Sequence, residues 1–331
     1  MNQVGSEVVE GGAGVLVVRR DFGDPDEMAA AVRRADVEYV PLANPSPVDA
    51  SLVGVELEGG ALLQLGRMGF AHVTRARFHD GAWQIVTALD DVPRSWNGQA
   101  VDRSCAMVYR PGAEFQGTAP GQGGWAALSL PSPRLEQALG SLAGTELRLF
   151  PESCRLARME EPTRLRLSSL LERVVRVAAE DPAALSGGEA RRALGESLLG
   201  FAVQAFEGLP QRPAERERTM LSHSRVVAMA EEFMRSRLAL PLYVADLCLA
   251  TGVSERTLRS AFHNVYGTGP NRFLKLRRLI QVRRALQHAT PDTLVSEVAT
   301  RHGFWDLGRF AGDYRSLFGE SPSRTARRAS A

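Results

Sequence analysis

A 52-residue period in the last third of the chain constrains the fold more than any other feature. Ser254 matches Asp306, Leu258 matches Phe310, Phe262 matches Tyr314, and Tyr266-Gly267-Thr268-Gly269-Pro270 aligns with Phe318-Gly319-Glu320-Ser321-Pro322. Each copy reads as a short helix, Val244 to Thr251 or Leu294 to His302, that stops at Gly252 or Gly303. Glycine enters the left-handed conformation of a helix C-terminus without steric cost. Ser254 or Asp306 then supplies an N-cap oxygen for the next helix. That helix ends at another Gly, and a Pro opens the one after it. Helix, short turn and helix, twice over, predict two helix-turn-helix units. Between them Asn271 to His288 carries Phe273, Leu274, Leu276, Leu279, Ile280, Val282 and Leu286 around nearly its whole circumference. Such a helix is expected to be largely buried and to set the spacing of the two units. Two recognition helices could then enter successive major-groove faces about 34 Å apart.

Charge distribution agrees with a polyanion partner for this third alone. The 331 residues carry a net charge of only +2, but Gln211 to Ala331 holds 20 basic and 11 acidic side chains, leaving 20 and 27 for Met1 to Pro210. An acidic front is joined to a basic back. Cys105, Cys154 and Cys248 are scattered and odd in number, which predicts a reducing cytoplasm rather than a disulfide framework. The N-terminal stretch contains Glu7 and Glu10 and no long apolar run, and no stretch approaches the ~20 residues that span a bilayer. Neither a signal peptide nor a membrane partner is expected.

The front half reads as strands. Short β-prone runs at Val15 to Val18, Leu52 to Glu58, Ala61 to Leu65, Ala71 to Phe78, Trp83 to Thr87, Cys105 to Tyr109 and Trp125 to Leu130 are separated by turn residues. Alternation in Ala71 to Phe78 slips once at Thr74-Arg75, where a bulge is expected. A small antiparallel barrel or sandwich is the natural closure. One helix over Asp24 to Ala35 is expected to precede it, with Asp24 as cap and Pro25 in the first turn. After Pro131 the period becomes helical, in Leu135 to Leu142, Glu161 to Ala179 and Gly188 to Phe206. The wide apolar stripes of the last two suit covering the barrel, packing on each other, or pairing with a second subunit. Glu207 to Glu217, with two prolines and several charges, reads as a linker.

Tyr243 to Arg327 resembles the DNA-binding domain of AraC/XylS-type bacterial transcription regulators. The resemblance is carried by Val244-Ala245-Asp246-Leu247, Gly252-Val253-Ser254, Thr257-Leu258, Phe262, Gly267, Pro270, Arg278-Leu279, Val298-Ala299, Gly303-Phe304, Phe310, Tyr314-Arg315, Phe318-Gly319 and Ser321-Pro322. It implies a seven-helix domain of two helix-turn-helix units joined by a long helix, with a sensing or dimerising domain in front. The front half, with Tyr109-Arg110-Pro111-Gly112-Ala113-Glu114-Phe115, more loosely resembles the cupin-like sensors of such regulators. The expected architecture is therefore α+β: a β-rich cupin-like barrel over residues 1–131 with covering helices, a helical linker or dimerisation region over 132–208, and an all-α DNA-binding domain over 221–328.

The resemblance places Arg256, Thr257, Arg259 and Ser260 at base edges, with Ser254 at the start of the same helix also facing DNA. Arginine suits this role because its fork bonds guanine O6 and N7 together. The second unit departs from the family pattern at Gly312 and Asp313, so Arg309 and Arg315 are expected to hold mainly the phosphate backbone. Arg324, Arg327 and Arg328 would add salt-dependent attraction. Trp305, beside the turn, is expected to pack between helices.

No catalytic constellation is visible in the sequence. His72 and His79 read as a surface and a turn residue, no metal or cofactor is implied, and Gly121-Gln122-Gly123-Gly124 suits a hairpin turn. Trp83, Trp96, Tyr109, Phe115 and Trp125, with Arg77 and Arg110, are candidates to line a barrel mouth around an anionic or aromatic effector; the aromatics also suit a plain core. Two functions follow. One is a homodimeric transcription regulator that binds double-stranded DNA, works with RNA polymerase and responds to a small molecule. The other is a DNA-binding regulator whose front domain serves only dimerisation or protein contact.

Overall fold

Strands that bury both faces need partners on both sides. In Ala82–Ala88 and Cys105–Tyr109 every residue is buried. The computed structural model of the protein describes residues 7–11, 15–44, 48–148, 153–185, 187–210, 215–237 and 242–330. It places β1 (Glu7–Gly11), β2 (Val15–Phe22), β4 (Ala50–Glu56), β5 (Leu62–Met68), β7 (Ala82–Ala88), β10 (Cys105–Tyr109), β12 (Gly123–Pro131) and β13 (Cys154–Arg158) in one antiparallel sheet, ordered β1-β2-β4-β5-β12-β7-β10-β13. A second sheet holds β3 (Ala35–Pro41), β6 (His72–Phe78), β8 (Arg94–Trp96), β9 (Gln99–Val101) and β11 (Glu114–Ala119), ordered β3-β6-β11-β8-β9. The front half is β-rich as expected, but its barrel does not close. Among the described residues no ladder joins the two sheets, so they form an open sandwich.

Several expectations are corrected in detail. Pairing of β6 with β3 and β11 runs without a skipped residue through Thr74 and Arg75, so no bulge forms there. The strands on either side of Gly121-Gln122 belong to different sheets, so this turn crosses between layers instead of closing a hairpin. β13 lies beyond Pro131, inside the stretch read as helical, and completes the large sheet by pairing with β10. Helix α1 (Pro25–Ala31) follows β2 and is capped by Asp24, whose carboxylate accepts from the Asp26 amide at 2.7 Å.

Helices α2 (Ser132–Arg148, broken at Gly140), α3 (Glu161–Glu180) and α4 (Gly188–Glu207) follow the strands. Leu171 and Val174 of α3 and Leu194, Leu198 and Ala202 of α4 share one core with Val55, Leu63, Trp83, Ile85 and Leu128. The stripes of α3 and α4 thus cover the outer face of the large sheet.

Among the described residues seven helices make the back of the chain: α5 (Glu215–Arg235), α6 (Val244–Thr251), α7 (Glu255–Tyr266), α8 (Pro270–Leu286), α9 (Val295–Arg301), α10 (Leu307–Phe318) and α11 (Pro322–Ser330). Gly252, Gly267, Gly303 and Gly319 end α6, α7, α9 and α10 at φ of 68°, 65°, 83° and 72°, the region that glycine alone enters freely. Central α8 buries Phe273, Leu274, Leu276, Leu279, Ile280, Val282 and Leu286 among Leu258, Phe262, Phe310 and Tyr314 of α7 and α10.

Candidate functional site

The N-caps foreseen in the repeat fix where α7 and α10 begin. Ser254 Oγ accepts from the Thr257 amide at 3.2 Å, and Asp306 Oδ1 accepts from the Arg309 amide at 2.9 Å. From these starts the 3.6-residue period turns Leu258, Ala261, Phe262 and Val265 of α7 inward and leaves Ser254, Arg256, Thr257, Arg259 and Ser260 exposed. The two arginines differ in what holds them. Arg259 is clamped to Glu255 one turn earlier, at 2.6 and 2.8 Å, whereas Arg256 has no ion-pair partner among the described residues. Thr257 is engaged by Ser254, oxygen to oxygen at 2.9 Å.

On α10, Arg309 and Arg315 are exposed and also lack ion-pair partners among the described residues, while Phe310, Tyr314, Leu317 and Phe318 point inward. Asp313 lies 2.9 Å from Lys275, so its negative charge is already met from within the protein. Trp305 does not pack as expected: it is 73% exposed, while its neighbour Phe304 packs on Phe310 with ring centroids 5.0 Å apart. Gly312 lies on the exposed face, and a Cβ there would meet nothing within 4 Å. Gly312→Ala should therefore stabilise the protein by about 1 kcal/mol, the helix-propensity difference. Denaturant unfolding of the two proteins checks this.

A second candidate site lies inside the sandwich. Alternate residues of β3 (Val37, Tyr39) and β6 (His72, Thr74, Ala76), with Gln84, Trp96, Phe115 and Trp125 from other strands, enclose about 750 Å³ of empty space, its mouth included. About 70 Å³ of that admits a water centre, several times the ~10–15 Å³ that one water requires. Gly66 makes room for one wall, since a Cβ there would run into the Trp125 ring.

Of the residues expected to line a ligand site, Trp96, Phe115 and Trp125 line this cavity. Trp83 does not: it faces the covering helices and meets Phe206 edge-on at 5.3 Å. Tyr109 is fully buried with its hydroxyl donating to Asn97 at 2.9 Å, and Arg77 and Arg110 are exposed outside the cavity. Strand parity decides Trp83 and Arg77, because neighbouring residues on a strand face opposite ways, whereas Tyr109 faces the interior but packs on Phe78 and Phe115 beside the cavity.

Polar cavity residues went unnoticed in the sequence. Instead of lying at the surface, His72 is 6% exposed; burial lowers its pKa to about 4, and its Nδ1 bonds the Phe70 carbonyl at 2.8 Å. Burial also pushes the Tyr39 phenol well above its ordinary range. Gln84 accepts from Ser129 at 2.5 Å, and its Nε2 has no partner among the described residues. A glutamine amid the apolar run Ala82–Ala88 was the available signal.

The same two strands meet the helical domain with their other residues. Val40 and Val73 join the core around α8, Glu38 pairs with Arg277 at 2.5 Å and Arg284 at 3.6 Å, and Arg75 lies 3.6 Å from Glu231 of α5. Asp26 holds Arg284 at 2.6 and 2.9 Å, which raises that guanidinium's pKa further. Among the described residues, no three His, Cys, Asp or Glu side chains gather as a metal site, and no helix is long and apolar enough to cross a membrane.

Comparison with known proteins agrees for the helical domain. A family described as "Helix-turn-helix domain" matches residues 247–328. The probable thc operon regulatory protein of Rhodococcus erythropolis is 41% identical over 103 residues, covering 31% of each chain. The XylDLEGF operon transcriptional activator of Pseudomonas putida is 36% identical over 107 residues, 32% of each. The chain thus spans about a third of the length of these curated relatives. A crystal structure of a probable AraC family transcriptional regulator from Rhodopseudomonas palustris is 36% identical, covers 32% of this chain and 99% of its own, and has a TM-score of 0.31. Residues 247–328, with their two capped helix-turn-helix units around α8, are a DNA-binding domain of the AraC/XylS type.

Proposed function

We propose that the protein is a sequence-specific regulator of transcription that binds double-stranded DNA through α7 and α10 and senses a small molecule in its front domain. The observation that carries the first part is the pair of recognition helices with apolar faces buried and polar faces exposed. In this reading Arg256, Thr257, Arg259 and Ser260, with Ser254 at the helix start, read base edges in one major groove. Arg309 and Arg315 hold phosphates in the next. The domains run over 1–131, 132–208 and 221–328, except that β13 completes the first from within the second. The working unit is a homodimer acting on RNA polymerase. The cavity between the sheets favours an effector over a front domain used for contact alone, because β3 and β6 offer one face to it and the other to α8.

Footprinting on DNA upstream of the protein's own coding sequence tests the reading. Two adjacent major-groove faces should be protected per subunit, about 10 base pairs apart. Retention that is only non-specific and vanishes with salt would overturn it.

A further inference from the structure

We infer that the cavity between the sheets takes an uncharged, aromatic compound carrying a hydrogen-bond acceptor, with the Gln84 amide as its donor, and rejects carboxylates. This rests on the reading that the front domain holds an effector.

Cations at the cavity are already spent. Arg94 directs all three guanidinium nitrogens elsewhere: Nη2 to Asp90, Nη1 to the Gly124 carbonyl at 2.6 Å and Nε to the Val92 carbonyl at 3.1 Å. Arg33 is half-exposed to solvent and paired with Glu56, so it places no desolvated charge inside the cavity. His72 is neutral at physiological pH, since burial holds its pKa at about 4. A carboxylate would therefore enter with its own desolvation cost and no free positive charge to offset it.

What remains free is neutral. Among the described residues the Nε2 of Gln84 is buried without an acceptor, although the amide oxygen is satisfied by Ser129. Leaving a buried donor unmet is costly, so a ligand carbonyl or other neutral acceptor recovers energy that an aliphatic ligand does not. His72 Nδ1 is committed to Phe70, leaving its other ring nitrogen as a neutral acceptor. Trp96 and Trp125 supply flat apolar walls on which an aromatic ring can lie.

Calorimetric titration of the full chain with toluene, benzamide and benzoate tests this, because the last two differ little except in charge. Benzamide should bind, toluene more weakly by about 10-fold, and benzoate by roughly 100-fold or more. Gln84→Met, checked for folding by thermal unfolding, should weaken benzamide about 10-fold and leave toluene nearly unchanged. Benzoate binding as tightly as benzamide would overturn the proposal and leave the effector reading of the cavity intact. Benzamide affinity unaffected by Gln84→Met would remove Gln84 as the donor and overturn it too. If none of the three binds wild type, the proposal and the cavity reading fall together.

Discussion

Alanine at Arg256 will lower affinity for the specific DNA site by roughly 5- to 150-fold, the equivalent of the ~1–3 kcal/mol carried by one good bidentate contact to guanine. The preference for one base pair will flatten at the same time. Arg256 is exposed and unpaired among the described residues, so its fork is available without first breaking another bond. Arg259 must leave Glu255, but an exposed pair one helical turn apart holds it by only about 0.3–0.5 kcal/mol. Arg309→Ala should behave differently, weakening specific and random DNA alike and reducing the salt slope by about one. The contrast rests on neighbours: Arg309 shares its helix face with Gly308 and Gly312, which carry no side chain to read a base. Anisotropy titrations over a set of single-base variants, at two salt concentrations, separate the two effects. Equal loss of discrimination from both substitutions would remove the division of labour between α7 and α10.

Arg75→Ala should destabilise the protein by about 3 kcal/mol at pH 8, the low end for removing one partner of a buried pair. Glu231, on α5, is 2% exposed, and burial raises its carboxyl pKa; Arg75 and then Arg277 pull it back, and Tyr266 donates a hydrogen bond at 2.8 Å. A carboxyl whose folded pKa lies above its unfolded one favours the folded state when protonated. Its contribution is present below the unfolded pKa and is lost as pH rises through the folded one. Removing Arg75 raises the folded value further, so the deficit should shrink from pH 8 to pH 5. Urea unfolding at both pH values measures it, and a deficit that grows on acidification would exclude uncompensated Glu231 as the cause.

How much of this was legible depended on how local each signal is. The helix-turn-helix units announce themselves because a cap, a glycine and a short apolar period lie within about twenty residues of one another. Ser254 and Asp306 cap as read, and α6 has the bounds expected of it. Strand β13 was missed because Cys-Arg-Leu-Ala-Arg has no strong β signature of its own; its identity comes from pairing with β10, some fifty residues earlier. The cavity was only half visible for a related reason. Trp83 and Trp125 look alike in sequence, yet one lies on the outer face of the large sheet and the other on the inner, and register with partner strands decides which. Of the adjacent aromatics Phe304 and Trp305, the first packs on Phe310 and the second stays exposed, a choice set by the turn's geometry and not by residue type.

The alternation along β3 and β6 has an evolutionary side. Val37, Tyr39, Thr74 and Ala76 border the cavity, whereas Glu38, Val40, Val73 and Arg75 grip the helical domain. Descendants of this chain can therefore reshape the cavity by exchanging one set while the other set keeps the domains docked. Point substitutions allow that drift, but inserting or deleting a single residue in either strand does not. Such a change would swap the two sets, placing charges in the cavity and aromatic rings against α8.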